Sequence, residues 1–238
     1  LTERIVRLFP QVKFFHHAAR RGKLSAVDRV MKHVKEPLTI FTDANAMINS
    51  LAVKNMVRHF QNEQVGAVAG EKCVQADGDA ASAGEGFYWK YESLLKRWDY
   101  QLHSVVGAAG ELFAIRTDLY QKPEPDTLIE DFVMTMRIAA KGYRVAYEAE
   151  AQAHEHSSES LAEEMKRKVR ISAGGLQAIW RLRDVLNPVK YGLLTFQYVS
   201  HRVLRWTLAP LSLLAIFLAN VILIQTNEWF WWLMMAGQ

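Results

Sequence analysis

Cysteine is nearly absent from this 238-residue chain, and charged residues are missing from one long stretch near its C-terminus. The single cysteine, Cys73, excludes an intrachain disulfide framework and is typical of a reducing compartment. No charged residue occurs from Trp206 to Asn227, a run of 22 residues. Because about 20 apolar residues cross the hydrocarbon core of a bilayer, this run predicts a transmembrane helix over 206–227, with a kink at Pro210 near one end.

The residues before this run support the membrane interpretation. Lysines and arginines crowd before it: Lys166, Arg167, Lys168, Arg170, Arg181, Arg183, Lys190, Arg202 and Arg205. Such an excess before an apolar span is typical of the cytoplasmic flank. We therefore expect a protein of the inner (plasma) membrane, with its polar part in the cytoplasm and with membrane lipid among its partners. The alternatives are a buried helix of a large soluble protein and a basic nucleic-acid module; we expect no nucleic acid partner.

The two ends of the chain predict that it is a piece of a longer, multi-pass protein. The sequence begins at Leu1 rather than at methionine, and no signal peptide is recognisable before the polar part. The apolar stretch after Glu228 is too short to cross a membrane at about 1.5 Å per residue. We interpret residues 228–238 as the start of a second transmembrane helix.

Short β-rich runs alternate with helical patterns up to about residue 150, which predicts an α/β domain with helices on both faces of its sheet. Strands are predicted at 12–16, 38–42, 65–74, 112–116 and 143–147. Helices are predicted at 24–34, 50–61, 87–102 and 130–141, and Asp77-Gly78-Asp79 predicts a loop. After Glu148 we expect no further strand.

The C-terminal third predicts helices that lie at a membrane surface. We expect a helix over 158–173 that Gly174 and Gly175 end. Amphipathic segments follow at 177–186 and 196–205, where apolar and cationic positions alternate. The predicted organisation is an α/β domain at 1–155, interfacial helices at 156–205, a transmembrane helix at 206–227 and the start of a second one at 228–238.

Two acidic clusters lie where such a fold places functional groups. The carboxylate of Asp43 projects from the end of a predicted strand, where open α/β sheets bind ligands. Glu130 and Asp131 lie in the first turn of a predicted helix, above the sheet. One carboxylate for a metal and another for a proton indicate an enzyme. The alternatives are an ordinary turn at Asp43 and Asn45, and acids that interact with the helix dipole at Glu130 and Asp131.

The order of the motifs resembles the family 2 glycosyltransferases, inverting enzymes of the GT-A fold, and in particular the membrane-bound bacterial polysaccharide synthases. Five segments carry the resemblance in the family's order: Arg21–Asp28, Phe41–Asn45, Gly107–Arg116, Ile129–Asp131 and Gly142–Tyr147. Five short motifs in the right order, followed by a membrane segment, are fairly specific. The resemblance implies a GT-A-like (Rossmann-related) mixed sheet for the catalytic domain.

The resemblance also implies a role for each candidate residue. The expected catalytic residues are Asp131, as general base, and Glu130, which positions the acceptor or a neighbouring cation. The expected metal ligands are Asp43 and Asn45, whose oxygens suit Mg²⁺ or Mn²⁺. The expected donor contacts are Lys23, Asp43, Arg167 and Arg170. The expected acceptor-side residues are Gly107, Gly110 and Glu111.

Three features depart from the family's pattern. Asn45 replaces the second aspartate of the metal motif. In the pattern typical of processive members, Gln or Arg, two residues and then Arg-Trp, Ile171 replaces the tryptophan, so processive and single transfer both stay open. There is almost no room before Val12 for the family's first strand and nucleotide-binding turn, so we expect the nucleotide-binding part to be incomplete. For the two arginines the alternative is a surface role, in which Arg167 pairs with Glu163 and Arg170 meets solvent or lipid headgroups.

The expected function is that of a membrane-anchored, metal-dependent inverting glycosyltransferase of the bacterial cell envelope. It moves a sugar from a nucleotide-diphosphate sugar, expected to be a UDP-sugar, to a growing polysaccharide or lipid-linked glycan. An accessory synthase subunit is a further expected partner. The alternative is a non-catalytic GT-A-like membrane subunit that partners an active synthase.

Overall fold

A mixed sheet of five strands forms the centre of the fold. The computed structural model describes residues 2–17, 19, 22–75, 80–156, 161–223, 231, 232 and 234. The strands are β1 (Leu38–Thr42), β2 (Met47–Ile48), β3 (Val65–Gln75), β4 (Leu112–Arg116) and β5 (Arg144–His156). Their order in the sheet is β1-β4-β3-β5-β2. β4 is antiparallel to both β1 and β3, whereas β3 and β5 are parallel, so the sheet is mixed as expected.

Helices pack on this sheet and continue beyond it toward the C-terminus. They are α1 (Thr2–Val6), α2 (Gly22–Met31), α3 (Ala52–Arg58), α4 (Ala80–Leu102), α5 (Glu130–Ala140), α6 (Leu161–Arg181), α7 (Pro188–Tyr191), α8 (Leu193–Tyr198), α9 (Leu204–Trp206) and α10 (Leu208–Leu223). A π-helical turn, Val199–Val203, joins α8 to α9.

The alternation of side chains along the strands explains why helices cover both faces. In β4, Phe113 and Ile115 belong to a buried cluster with α5 and the C-terminal helices, whereas Leu112 and Ala114 belong to a second cluster with α3. Successive side chains of a strand point to opposite faces. A strand that buries apolar side chains on both faces therefore needs a helical layer on each side.

Two strand predictions are wrong. Residues 12–16 form no strand: their side chains are exposed, and Phe14 stacks on His16. β5 does not stop at Glu148 but continues to His156, because its second half pairs with residues 71–75 of β3 on one side and with β2 on the other. The apolar side chains that this half buries are small, Ala151 and Ala153, and alanine is a weak strand signal.

The two glycines expected to end the helix at 173 lie inside α6, which runs on to Arg181. A Cβ on Gly174 would lie 2.9 Å from Cγ2 of Ile129, and one on Gly175 would lie 2.4 Å from Cδ2 of Trp206. Carbon atoms normally pack about 3.5–4.0 Å apart. The glycines therefore permit close packing, and the predicted helix end was wrong.

The apolar C-terminal sequence forms two helical stretches that meet at a bend. Leu193–Trp206 and Leu208–Leu223 are inclined to each other by 43°. Pro210 explains the bend, because its ring clashes with the carbonyl four residues earlier, that of Trp206. Within the described part of the chain no single helix is long and apolar enough to cross a membrane, although the bent pair satisfies both criteria together.

The remaining predicted strands and helices of the α/β domain are present, with ends that differ by several residues in places. The predicted loop at 77–79, residues 224–227 of the predicted span and most of 228–238 lie outside the described residues.

Gly66 of β3 offers a direct test of how closely this strand approaches α5. A Cβ on Gly66 would lie 2.6 Å from Cγ2 of Ile138 and 2.7 Å from Cβ of Tyr143. We expect Gly66→Ala to lower the free energy of unfolding by about 1–3 kcal/mol, the usual cost of overpacking. Urea unfolding followed by tryptophan fluorescence measures the change. The exposed control Lys54→Ala should stay within about 0.5 kcal/mol of wild type, and an equally small effect of Gly66→Ala would contradict the close approach.

Candidate active site

The amino group of Lys23 joins the two acidic clusters. Its Nζ lies 2.5 Å from Oδ1 of Asp43 and 3.3 Å from Oε1 of Glu130. Lys23 lies in the first turn of α2, Asp43 follows β1 and Glu130 opens α5. Burial acts to lower the pKa of Lys23, but the hydrogen bond to Asp43 and the charges of both carboxylates outweigh it and raise the pKa. The charged ammonium therefore holds three elements together.

The end of β1 presents Asp43 to solvent. The hydroxyl of Thr42 donates to the carbonyl of Glu111 (3.0 Å), which anchors the strand end to the chain before β4. The N–H of Ala46 donates to the carbonyl of Asp43 (3.1 Å) and closes a turn. The side chain of Asp43 is 32 % exposed, and Asn45 is exposed in the same turn. A ligand can therefore reach the carboxylate.

Asp131 lies against the glycine loop formed by residues 107–110. A Cβ on Gly110 would lie 3.2 Å from Oδ2 of Asp131 and 3.5 Å from Nζ of Lys23. The N–H of Ala108 donates to Oγ1 of Thr135 (3.0 Å), and the Thr135 hydroxyl donates to the carbonyl of Asp131 (2.8 Å). Two hydrogen bonds through Thr135 thus connect the loop to the first turn of α5, beside the cluster around Lys23.

Gly107 allows this loop to approach α5. Its φ is +80°, a left-handed conformation that favours glycine. A Cβ at this position would also lie only 2.1 Å from Cδ2 of Phe132. Both its backbone conformation and its lack of a side chain are therefore needed.

The environment of Asp131 changes its acidity. Removal from water raises the pKa of Asp131 to about 7, and the negative charges of Glu130 and Glu111 act in the same direction. The N–H of Phe132 and the charge of Lys23 oppose the shift. A carboxyl group with a pKa near neutrality can take up or release a proton at pH 7, as a general acid or base must.

A buried lysine fixes Glu111. Lys72 of β3 is 4 % exposed; it donates to Glu111 and to Oε2 of Glu155 (2.7 Å), and its Nζ lies 5.2 Å from the centre of the Trp89 ring. Burial acts to raise the pKa of Glu111, but the charge and the hydrogen bond of Lys72 outweigh it and lower the pKa. Glu111 therefore stays charged near Asp131. Lys72 was not among the predicted site residues; the available signal was a pair of charges, Glu71 and Lys72, inside an apolar strand.

The two arginines predicted to contact the donor lie on α6. Arg167 donates two hydrogen bonds to the carboxylate of Glu164, one turn earlier, at 2.8 and 3.0 Å. Arg170 is exposed. Their contact with a diphosphate stays a prediction.

The carboxylates of the site fit a divalent cation that a substrate helps to bind. Asp43 and Glu130 already converge on one cationic atom, the Nζ of Lys23. In the described part of the chain no group of three or more His, Cys, Asp or Glu side chains could enclose a metal ion. Mg²⁺ is commonly held by only one or two carboxylates together with substrate phosphates, so Asp43 suits such a site, with Asn45 in the same turn.

The mixed sheet with helices on both faces is a GT-A-like fold. The structure resembles the mannosyltransferase PcManGT from Pyrobaculum calidifontis, which was solved in complex with GDP-Man and Mn²⁺. The TM-score is 0.67 and the sequence identity 19 %, over 99 % of this chain and 69 % of that one. Residues 38–237 match the family described as glycosyl transferase family group 2, and the chain belongs to this family.

Two relatives connect the chain to polysaccharide synthesis. The poly-β-1,6-N-acetyl-D-glucosamine synthase of Staphylococcus aureus is 25 % identical over 182 residues, or 71 % of this chain and 42 % of the synthase. An O-antigen chain rhamnosyltransferase of Salmonella typhimurium is 26 % identical over 164 residues, or 65 % of this chain and 51 % of the transferase. The chain thus spans about half or less of the length of these relatives. The family and its relation to polysaccharide synthases are confirmed.

The raised pKa of Asp131 predicts a stability that falls as the pH rises. The carboxyl keeps its proton up to about pH 7 in the folded protein but only up to about pH 4 in the unfolded chain. The folded state therefore binds more protons between these values, and its stability decreases across this window. Asp131→Asn cannot ionise, so we expect it to resist urea better than wild type at pH 8, by roughly 1–4 kcal/mol, and about equally at pH 4.

Unfolding in urea at pH 4, 6 and 8 tests this expectation. The control Asp118→Asn replaces an exposed aspartate and should keep the pH dependence of wild type. If the free energy of unfolding has the same pH dependence in wild type and in Asp131→Asn, the carboxyl group of Asp131 is hydrated like that of an ordinary exposed aspartate.

Proposed function

We propose that the protein is a metal-dependent inverting glycosyltransferase that moves a sugar from a nucleotide-diphosphate donor to a growing glycan or lipid-linked acceptor. The observation that carries the proposal is the convergence of Asp43, Glu130 and Asp131 around Lys23, with Gly110 next to Asp131. This cluster offers a carboxylate for a cation and a second carboxyl group with a pKa near 7 for a proton. Sugar transfer from a diphosphate needs both.

In the proposed reaction Asp131 is the general base. The acceptor hydroxyl transfers its proton to the carboxylate while its oxygen attacks the anomeric carbon, and the bond from that carbon to the diphosphate breaks. Because attack comes from the face opposite the diphosphate, the configuration inverts. Glu130, bound to Lys23, positions the acceptor side of the cluster, and Gly110 leaves room for a hydroxyl beside Asp131.

Lys23 and Asp43 form the donor side of the proposed site. The ammonium of Lys23 is half exposed and supplies a positive charge for diphosphate oxygens. Asp43 would hold Mg²⁺ or Mn²⁺, which neutralises the negative charge that develops on the leaving diphosphate. PcManGT was solved with Mn²⁺, which supports a divalent cation here. Arg167 and Arg170 of α6 would bind the diphosphate after Arg167 releases Glu164.

The relatives support the substrate classes. One relative is a poly-β-1,6-N-acetyl-D-glucosamine synthase and another is an O-antigen chain rhamnosyltransferase, so we propose a glycan or lipid-linked acceptor of the bacterial cell envelope. A UDP-sugar remains the proposed donor. Because PcManGT was solved with GDP-Man, a GDP-sugar is the second donor to be tested. The bent pair of apolar helices supports a membrane anchor at the cytoplasmic face of the plasma membrane.

One observation favours a second function, that of a non-catalytic subunit. Lys23 already fills the cationic position at Asp43, and Asn45 is a weaker ligand than aspartate. Such a subunit would partner an active synthase and would release no nucleoside diphosphate on its own.

Replacement of the proposed base separates the two functions. We expect the full-length protein in detergent, with Mn²⁺ and a bacterial lipid extract, to release nucleoside diphosphate from UDP-N-acetylglucosamine or GDP-mannose. Asp131→Asn should lower kcat by about 10²–10⁴-fold, the usual contribution of a general base. In wild type kcat/KM should rise about tenfold per pH unit below pH 7 and level off above it, because only the deprotonated carboxylate accepts the proton.

Turnover by Asp131→Asn at the wild-type rate would remove Asp131 from the mechanism. A folded wild-type protein that releases no nucleoside diphosphate from any UDP-, GDP- or dTDP-sugar would favour the subunit.

The metal site has its own test. We expect Asp43→Ala to weaken Mn²⁺-dependent binding of UDP or GDP by at least about tenfold, because one hard carboxylate ligand is lost. Equilibrium dialysis with and without Mn²⁺ measures this binding without turnover. Asp118→Ala, which removes an exposed carboxylate elsewhere, should bind like wild type. Equal Mn²⁺-dependent binding in Asp43→Ala and Asp118→Ala would contradict the assignment.

A further inference from the structure

Aromatic side chains of the C-terminal helices enclose the first turn of α5. The ring of Phe132, the residue after Asp131, lies 5.3 Å from the ring of Trp206 at an interplanar angle of 71° and 6.2 Å from the ring of Tyr198. Phe132 is buried, and Tyr198 is fully buried. An edge-to-face pair such as Phe132 and Trp206 adds about 0.5–1.5 kcal/mol to the burial of its surface. The residue next to the proposed base is therefore fixed from the C-terminal side.

Trp206 fits against α6 without spare room. A Cβ on Gly175 would lie 2.4 Å from Cδ2 and 2.7 Å from Cε2 of its indole, and one on Gly174 would lie 2.9 Å from Ile129. The same turn of α6 therefore touches both the indole and the residue before Glu130. A shift of Trp206 would disturb the entrance to α5 on two sides.

The C-terminal helices also hold the chain that leads into the glycine loop. Arg202 donates from Nε to the carbonyl of Val106 (3.4 Å), and the N–H of Ser104 donates to Oε1 of Gln197 (3.3 Å). Gly107, the residue after Val106, lies against Phe132. Phe132 thus packs against both the glycine loop and Trp206.

We propose that Trp206 is a positioning residue, which acts through Phe132 to keep Asp131 against Gly110 and Lys23. The proposal rests on the proposed function of Asp131 as base. A smaller side chain at 206 leaves a cavity beside Phe132, and the first turn of α5 relaxes into it. A displacement of about 1 Å at a reacting group can cost about 10²-fold in rate. Trp206 was predicted only as the start of a transmembrane helix, so the proposal gives it a second role.

Paired substitutions test the proposal in the full-length protein. We expect Trp206→Ala to lower kcat for nucleoside diphosphate release by about 10–100-fold, with whichever of UDP-N-acetylglucosamine and GDP-mannose wild type uses, while KM for the donor changes less than about threefold. Trp206→Phe should recover most of the rate, because a ring still contacts Phe132. The matched control is Trp180→Ala: this tryptophan of α6 is 71 % exposed and stacks on Arg183, and its loss should leave kcat unchanged.

Hydrogen exchange gives a measurement that needs no turnover. In Trp206→Ala the amides of residues 131–136 should exchange at least about tenfold faster than in wild type, while those of α3 keep their protection. Unchanged exchange at 131–136, or an equal loss of kcat in Trp206→Ala and Trp180→Ala, would overturn the proposal. If wild type shows no turnover, the proposed function fails, and exchange alone still decides whether Trp206 fixes α5.

A second variant is needed if Trp206→Ala does not fold. Misfolding would be seen as a loss of hydrogen-exchange protection at the amides of α3. Gly175→Ala adds one methyl group against the indole and keeps Trp206 itself. It should also speed exchange at 131–136 and lower kcat, and wild-type behaviour in both measurements would count against the proposal.

Discussion

The ion pairs of Lys23 are the constraint on which the candidate site depends. Asp43 and Glu130 belong to segments 87 positions apart (130 − 43), and they would repel each other without the ammonium between them. Lys72 does the same for Glu111 and Glu155 in the interior. Two lysines thus balance four carboxylates, and Asp131 forms no ion pair of its own within the described part of the chain, although the charge of Lys23 acts on it. This uneven balance, added to its removal from water, explains why Asp131 holds its proton near neutrality.

Close packing around α5 gives this electrostatic arrangement its geometry. Gly66, Gly107 and Gly175 each lie where a Cβ would collide with a neighbouring element, and α5 or the residues that pack on it are the partner in every case. The helix is therefore held from the sheet, from the glycine loop and from the C-terminal helices. The sheet holds the last turn of α5 at Ile138, and the glycine loop and Trp206 hold its first turn at Phe132. A helix fixed at both ends can keep a carboxyl group in an unfavourable, poorly hydrated position.

The sequence predicted the parts of the molecule whose signals are local. β1, β3, β4 and α5 have clear apolar patterns, and Asp43, Glu130 and Asp131 lie at the ends of such elements, so their positions followed. The second half of β5 was missed because it buries alanines, and Gly174 and Gly175 were misread because a glycine pair in close packing looks like a helix end. Lys72 was missed because its partners lie 39 and 83 positions away, and no local pattern records them.

The contact between Phe132 and Trp206 has a consequence for the order of synthesis. Trp206 is added 75 residues after Asp131 (206 − 131), and at about 5–20 residues per second the ribosome needs about 4–15 s for this stretch. During that time the nascent sheet and α5 lack their aromatic support. On the proposed role of Trp206, the site matures only when the chain directly before α10 emerges, so competence for sugar transfer would follow translation of the C-terminal helices.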